Sequence, residues 1–132
     1  MLESLKLINL LLVACGGALG GMGRLALTNL FSYWCGVRFP WGTLVVNLSG
    51  ALLAGWLAGR IGIPNGLDLS SAWVALIIGL LGGYTTVSSF SIQTLTLWQS
   101  GEQLRSSLYL LATLIAGLMF AALGWWLAGG SE

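Results

Sequence analysis

The sequence predicts an all-α membrane protein with four transmembrane helices, and two features of its composition support this. Hydrophobic residues make up 57% of the 132 residues and charged residues only 7%, whereas a soluble domain carries about 25% charged residues. Five Lys or Arg and four Asp or Glu are too few to cover the surface of a water-soluble domain. A third feature is the length of the uncharged stretches, since a helix needs about 20 apolar residues to cross the hydrocarbon core.

Composition also excludes several classes of function. The chain has no His, which removes imidazole metal ligands and the commonest general base. Its net charge of +1 provides no basic surface for nucleic acid. The sequence contains no phosphate-binding loop, HExxH motif or nucleophile–base pair. We therefore expect neither an enzyme nor a nucleic-acid-binding protein.

We place the four helices, within one domain covering residues 1–132, at residues 5–32, 42–59, 72–98 and 105–128. Tryptophans lie near the ends of these segments, as in the aromatic belts of membrane proteins. They are Trp34, Trp41, Trp73, Trp98, Trp125 and Trp126. The connections are short and contain turn-forming residues such as Pro40 and Pro64.

The first two helices combine small-residue spacings with one unusual polar residue each. Overlapping GxxxG spacings begin at Gly16 and Gly17, and such faces let helix backbones approach closely in lipid. Arg24 either extends to the membrane surface or attracts an anion. Asn47 is costly to bury in hydrocarbon without a partner, so it either joins two helices or lines a polar path.

The third helix is predicted to be broken at mid-membrane depth. Residues 82–91 read GGYTTVSSFS, in which glycines, hydroxyl residues and a β-branched residue are all poor helix formers. Their hydroxyls also compete with the backbone for hydrogen bonds. Irregular backbone at this depth persists only where protein buries it or a polar cavity lies beside it. We favour a transport path at the break, with a kinked helix as the alternative.

The positions of the acidic residues argue against one class of small transporter. Glu3, Asp68, Glu102 and Glu132 all lie at helix ends or in loops. A proton-coupled exporter of the small multidrug type needs a carboxylate inside the membrane. The small multidrug-type exporter therefore stands only as an alternative function.

The basic residues do not favour one orientation in the membrane. Lys6 and Arg60 fall on one side of the predicted bundle, and Arg38 and Arg105 fall on the other. The positive-inside rule therefore predicts no clear orientation. We expect either a weak preference set by context or dual topology, in which two copies form an antiparallel dimer.

The ordered motifs resemble the Fluc (CrcB) family of fluoride channels over nearly the whole chain. Residues 16–24 (GGALGGMGR) resemble its first-helix glycine run, which ends in Arg, and residues 41–47 (WGTLVVN) resemble its GTLxVN motif. Residues 82–91 resemble its GGxTTFSTFS break. Tyr109 and Thr113 resemble the tyrosine and hydroxyl pair of its fourth helix.

The resemblance implies passive export of fluoride across the cytoplasmic (inner) membrane by an antiparallel, dual-topology homodimer with a structural sodium ion at its centre. The implied fluoride-pore residues are Asn47, Phe90, Ser88, Thr43, Tyr109 and Thr113. Arg24 would lie in the vestibule, and the backbone carbonyls of Gly82 and Thr85 would bind the sodium ion.

Two positions depart from the family pattern. Val87 occupies the place of the first phenylalanine of a pair, and Gln93 stands where a glutamate commonly follows the motif. Loss of one aromatic ring is expected to slow permeation or reduce selectivity. It also leaves open a heterodimer, or a non-conducting helper subunit, as alternatives to a self-sufficient channel.

The pore role of Asn47 leads to a direct prediction. Asn47→Asp places a carboxylate in the path of an anion, and Coulomb repulsion should suppress fluoride flux. Fluoride release from liposomes measures the effect, and an unchanged flux would refute the pore role.

Overall fold

The structure, a computed structural model, describes residues 2–65 and 69–130. These residues form helices joined by short turns and include no β-strand. The helices are α1 (Leu2–Cys35), α2 (Trp41–Ile61), α3 (71–84), α4 (Val87–Gln99) and α5 (Gln103–Leu127). Four segments are long and apolar enough to cross a membrane: Lys6–Cys35, Trp41–Ile61, Ser71–Gln99 and Gln103–Leu127. The predicted all-helical class and its four spans are confirmed.

Asp68 and Glu132, expected in a loop and at a chain end, lie outside the described residues.

Helix α3 contains a widened stretch that the sequence does not indicate. It begins with the α-helical turn Ser71–Trp73, continues as the π-helix Val74–Leu81 and ends with Gly82–Tyr84. The Ser70 hydroxyl caps its start by accepting the backbone N–H of Trp73 at 3.2 Å. π-Helical hydrogen bonds are rare outside single turns, and a run of apolar residues gives no sign of them.

The predicted break is present and is confined to two residues. Thr85 (ψ 161°) and Thr86 (φ −151°, ψ 126°) are extended, and α4 begins at Val87. The Thr86 hydroxyl accepts the Ser89 N–H at 3.2 Å, which makes Thr86 the N-cap of α4. Extended backbone at this point separates the third span into two half-helices.

The two half-helices pack on different partners. Helix α3 packs mainly on α1, whereas α4 packs on α5. Helix α2 lies between them, with its largest contact on α5 and a smaller one on α1. The break therefore redirects the chain from one pair of packed helices to the other.

Glycine makes the contact between α1 and α3 possible. A Cβ atom at Gly20 would collide with the Leu80 carbonyl oxygen, and one at Gly83 would collide with the Gly17 carbonyl oxygen. A Cβ atom at Gly16 would lie only 2.8 Å from the Ala75 carbonyl oxygen. Backbone against backbone at this distance excludes any larger residue, as the GxxxG spacings predict.

The contact between α2 and α5 follows the same rule. A Cβ atom at Gly55 would collide with the Ala121 carbonyl oxygen, and one at Gly124 would collide with the Leu52 carbonyl oxygen. The small-residue spacing on α2 predicted its half of this interface. Gly124, which belongs to no GxxxG spacing, completes it from α5.

Ion pairs show which helix ends lie together. Glu102 Oε2 lies 2.6 Å from Arg105 Nη1, and Glu102 Oε1 lies 3.7 Å from Arg38 Nε. Arg38 follows α1 and Glu102 precedes α5, so both connections lie at one end of the bundle. Arg60 lies near the other end of α2, with its guanidinium carbon 5.7 Å from the Trp56 ring centroid. The distribution of Arg38, Arg105 and Arg60 agrees with the sides predicted from sequence.

Substitutions at neighbouring glycines of α1 test the close packing. Gly20→Ala should destabilise the fold by about 1–3 kcal/mol, because its methyl group overlaps the backbone of α3. Gly21→Ala is the matched control, since no atom lies within 4 Å of its Cβ position, and it should leave stability unchanged or slightly raised. Thermal unfolding in detergent, followed by tryptophan fluorescence, measures both. Equal midpoints for the two variants would contradict the packing assignment.

Candidate functional site

Asn47 on α2 binds the broken backbone through both ends of its side-chain amide. Its Nδ2 donates to the Thr86 carbonyl at 2.9 Å, and its Oδ1 accepts the Thr86 N–H at 2.9 Å. In a continuous helix that N–H would bond to the Gly82 carbonyl four residues earlier. Asn47 therefore takes the place of a helix hydrogen bond and leaves the Gly82 carbonyl without that donor.

A second contact secures the other side of the break. The Ser49 and Tyr84 hydroxyl oxygens lie 2.8 Å apart, and a Cβ atom at Gly50 would collide with the Thr85 methyl group. The segment 47–50 of α2 thus holds both the end of α3 and the start of α4. The Ser49–Tyr84 bond joins residues 35 positions apart, and the sequence contains no local signal of it.

An open groove of about 500 Å³ lies beside the break and is called the break groove. Its wall includes Asn47, Gly82, Thr85, Val87, Phe90 and Thr113. The structure therefore brings together three predicted fluoride ligands and both residues predicted to bind sodium. The Val87 side chain is 76% exposed here, so the valine leaves this wall open where an aromatic ring was expected.

A second groove, the Arg24 groove, lies between α1, α2 and α4 and has a volume of about 550 Å³. Its polar wall consists of Arg24, Thr28, Thr43, Thr86, Ser89 and Gln93. Thr86 lines both this groove and, with Asn47, the break groove. The extended backbone at the break is therefore the partition between the two.

A third groove of about 480 Å³, the mouth groove, continues from the Arg24 groove to one end of the bundle. The two share Thr28, Thr43 and Gln93. Arg38 and Glu102 line its outer part. One chain by itself therefore forms a polar surface that runs from Arg24 to the helix ends.

Tyr109 lies behind these grooves and bonds to Gln93, which lines two of them. Tyr109 is fully buried, and its hydroxyl donates to Gln93 Oε1 at 3.0 Å. Its ring lies 5.3 Å from that of Phe90 and, edge-on, 5.5 Å from that of Phe39. The Thr113 hydroxyl donates to the Tyr109 carbonyl at 2.8 Å. Tyr109 therefore positions the Phe90 ring and the Gln93 amide at once.

Ser88 stands apart from the other predicted site residues. It is exposed, its hydroxyl oxygen lies 3.1 Å from that of Thr86, and it does not line the break groove of this chain. The remaining predicted residues lie on one of the grooves or directly behind them. Of the two predicted pore residues on α4, Phe90 therefore faces the break groove and Ser88 does not.

The chemistry of the groove walls suits small ions. Hydroxyl and amide groups form their polar parts, and Arg24 is the charged residue of the Arg24 groove. The described residues contain no group of three or more His, Cys, Asp or Glu side chains placed to hold a metal. Neutral donors bind an anion weakly enough to release it, whereas backbone carbonyls at a half-helix end attract a cation.

Comparisons with known proteins agree in one family. A family model described as CrcB-like protein, Camphor Resistance (CrcB), matches residues 11–125. A protein of Thermus thermophilus is 44% identical over 119 residues, covering 90% of this chain and 94% of the relative. One of Rhodospirillum rubrum is 42% identical over 118 residues, covering 89% and 88%. Both relatives bear the name Fluoride-specific ion channel FluC.

Removal of the Asn47 amide tests its part in holding the break. Asn47→Ala leaves the Thr86 N–H and carbonyl without partners and should cost about 1–3 kcal/mol for each group left unsatisfied. Ser49→Ala should cost less, about 0.5–1.5 kcal/mol. It removes the bond to the Tyr84 hydroxyl and a 3.2 Å bond to the Val46 carbonyl, but it leaves the Thr86 backbone groups bonded to Asn47. Thr96→Ala serves as the control, since the Thr96 hydroxyl bonds only to its own helix at the Ile92 carbonyl. Thermal midpoints in detergent rank the variants, and an Asn47→Ala midpoint equal to that of the control would disprove the structural role.

Proposed function

Because this chain belongs to the CrcB family, we propose that it is a fluoride-selective channel that exports the ion passively across the cytoplasmic membrane. The observation that carries the proposal is 40–44% identity, over most of both chains, to relatives named for fluoride-specific conduction. The family consists of ion channels and not of enzymes. Export protects the cell, because hydrogen fluoride that enters from acid surroundings dissociates at neutral pH and must leave as the anion.

The break groove supports a path for fluoride. Fluoride holds its water tightly, so a conducting path must replace that water with many hydrogen-bond donors that still release the ion. One N–H of the Asn47 amide is bonded to Thr86, and its second N–H is the donor that we assign to fluoride. Phe90 would present its ring edge, which carries partial positive charge. Ser88 and Thr43 would supply hydroxyls. Tyr109 and Thr113 would supply theirs only after giving up their bonds to Gln93 Oε1 and the Tyr109 carbonyl.

The Arg24 groove supports a vestibule outside this path. Arg24 is half-buried and shares its groove with hydroxyl groups and the Gln93 side chain. A guanidinium raises the local concentration of anions without entering the constriction, where a full positive charge would trap fluoride. Arg24 would therefore concentrate fluoride before the neutral donors conduct it.

We further propose that the working unit is an antiparallel homodimer with dual topology in the cytoplasmic membrane. Two observations support it: the basic residues are balanced between the ends of the bundle, and the break groove is open along one side. A second, inverted copy would close that side and bring its own half-helices beside those of the first. A C-terminal tag accessible from only one side of the cell membrane would contradict dual topology.

A structural sodium ion at the dimer centre fits the residues present. The Gly82 carbonyl lies at the end of α3 and lacks its usual helix donor, since Thr86 bonds to Asn47. Gly82 and Thr85 would bind sodium through these hard oxygen ligands, which are the ligand type that such cations prefer. Where the C-termini of α3 from the two copies approach each other, the ion would neutralise their negative dipole ends.

The departures at Val87 and Gln93 favour one second candidate, a subunit that conducts only with a different partner. Val87 removes an aromatic wall from the break groove, and another subunit would have to provide it. A small multidrug-type exporter, in contrast, disagrees with the family to which the chain belongs.

Reconstitution of the purified chain alone separates these alternatives. Liposomes loaded with potassium fluoride or potassium chloride are treated with valinomycin, and anion release is recorded with ion-selective electrodes. We expect rapid fluoride release and no chloride release. Val87→Phe is the matched variant and should release fluoride at least as fast, because it restores a ring edge to the path.

Each other outcome has a definite meaning. Release of both anions would show that Val87 has removed selectivity, and the Val87→Phe variant should then recover it. If the chain alone releases no fluoride but does so together with a second subunit, the heterodimer would be established in place of the homodimer. No fluoride release, either from the chain alone or from the chain with a second subunit, would overturn the proposed function.

A further inference from the structure

A charged triad lies at the end of the bundle where the mouth groove opens. Glu102 contacts Arg105 at 2.6 Å and Arg38 at 3.7 Å. Glu102 is the one acidic residue within residues 6–65 and 69–130. The Arg38 side chain is 79% exposed, whereas that of Glu102 is 29% exposed. A single carboxylate thus joins two guanidinium groups at this end of the bundle.

Two of the three triad residues belong to the wall of the mouth groove, and Arg105 lies next to them on Glu102. Arg38 and Glu102 line the mouth groove together with Thr43 and Gln93. Thr43 and Gln93 also line the Arg24 groove, which reaches Thr86 at the break. An anion that moves along this polar surface must therefore pass the triad before it meets the neutral donors.

We propose that Glu102 limits the rate at which anions reach the pore, by reducing the charge at the mouth groove from two positive charges to one. The inference rests on the proposed channel function and adds a residue that sets the rate of ion access. Two unpaired guanidinium groups would bind an anion bidentately. When both are paired with Glu102, the net charge of +1 still attracts anions but forms no strong binding site for them. The triad therefore changes how fast anions reach the pore and not which anion the pore conducts.

The expected size of the effect follows from Coulomb's law. A change of one unit charge about 10 Å from the ion path, in a water-filled mouth, alters the local anion concentration by about twofold. Salt reduces this effect, because the Debye length falls from about 30 Å at 0.01 M to about 3 Å at 1 M. A charge effect must therefore fade with ionic strength, whereas a packing effect must not.

A charge series in planar bilayers tests the inference on the full chain. Glu102→Gln should raise the fluoride conductance about twofold at about 0.01 M potassium fluoride, and Arg38→Gln should lower it about twofold. Arg105→Gln should act in the same direction as Arg38→Gln. The double variant Arg38→Gln/Glu102→Gln breaks the ion pair but keeps the wild-type mouth charge, so its conductance should match that of the wild type. At about 1 M salt all the variants should converge.

The contrary results are equally specific. If Glu102 serves only to hold the loop, then Glu102→Gln, Arg38→Gln and the double variant will all lower conductance, at every salt concentration. A conducting wild type with no ordered charge series would overturn this inference and leave the channel function standing. A wild type without fluoride conductance would instead overturn the proposed function. Thermal midpoints of each variant confirm that folded proteins are compared.

Discussion

The pair of hydrogen bonds between Asn47 and Thr86 is the constraint on which the rest of the molecule depends. A chain that interrupts a transmembrane helix exposes backbone groups that hydrocarbon cannot solvate. The Asn47 amide, itself costly to bury, offers the same donor and acceptor as a peptide group and satisfies both sides of Thr86. Two polar features that would each destabilise a membrane protein therefore stabilise each other.

Several properties follow from this one connection. Because the backbone is extended at Thr85 and Thr86, α3 can pack on α1 while α4 packs on α5. Thr86 also lines both the break groove and the Arg24 groove and so lies between them. The bond also diverts the Thr86 N–H from Gly82, which leaves carbonyl oxygens at the end of α3. Donors for an anion and acceptors for a cation thus lie within a few residues of one another.

The bundle has little interior of its own, and its packing reflects this. The described residues include only a few fully buried side chains, among them Tyr109 and Val46. Close contact comes instead from backbone meeting backbone at Gly20, Gly83 and Gly124. Dispersion between closely packed backbones can hold helices together in lipid, where no hydrophobic drive exists between them. Such packing leaves room for polar grooves, since large apolar side chains lie mostly on the outer surface.

The sequence by itself determined the class, the four spans and the place of the break, because lipid imposes length, polarity and hydrogen-bonding rules that local composition records directly. It also pointed to Asn47 as a residue in need of a partner. Only the tertiary structure decided that this partner is the Thr86 backbone, that Ser49 bonds to Tyr84, and that Gln93 accepts the Tyr109 hydroxyl. These pairs join residues of different helices, and their choice depends on the rotation and register of each helix, which no single segment specifies.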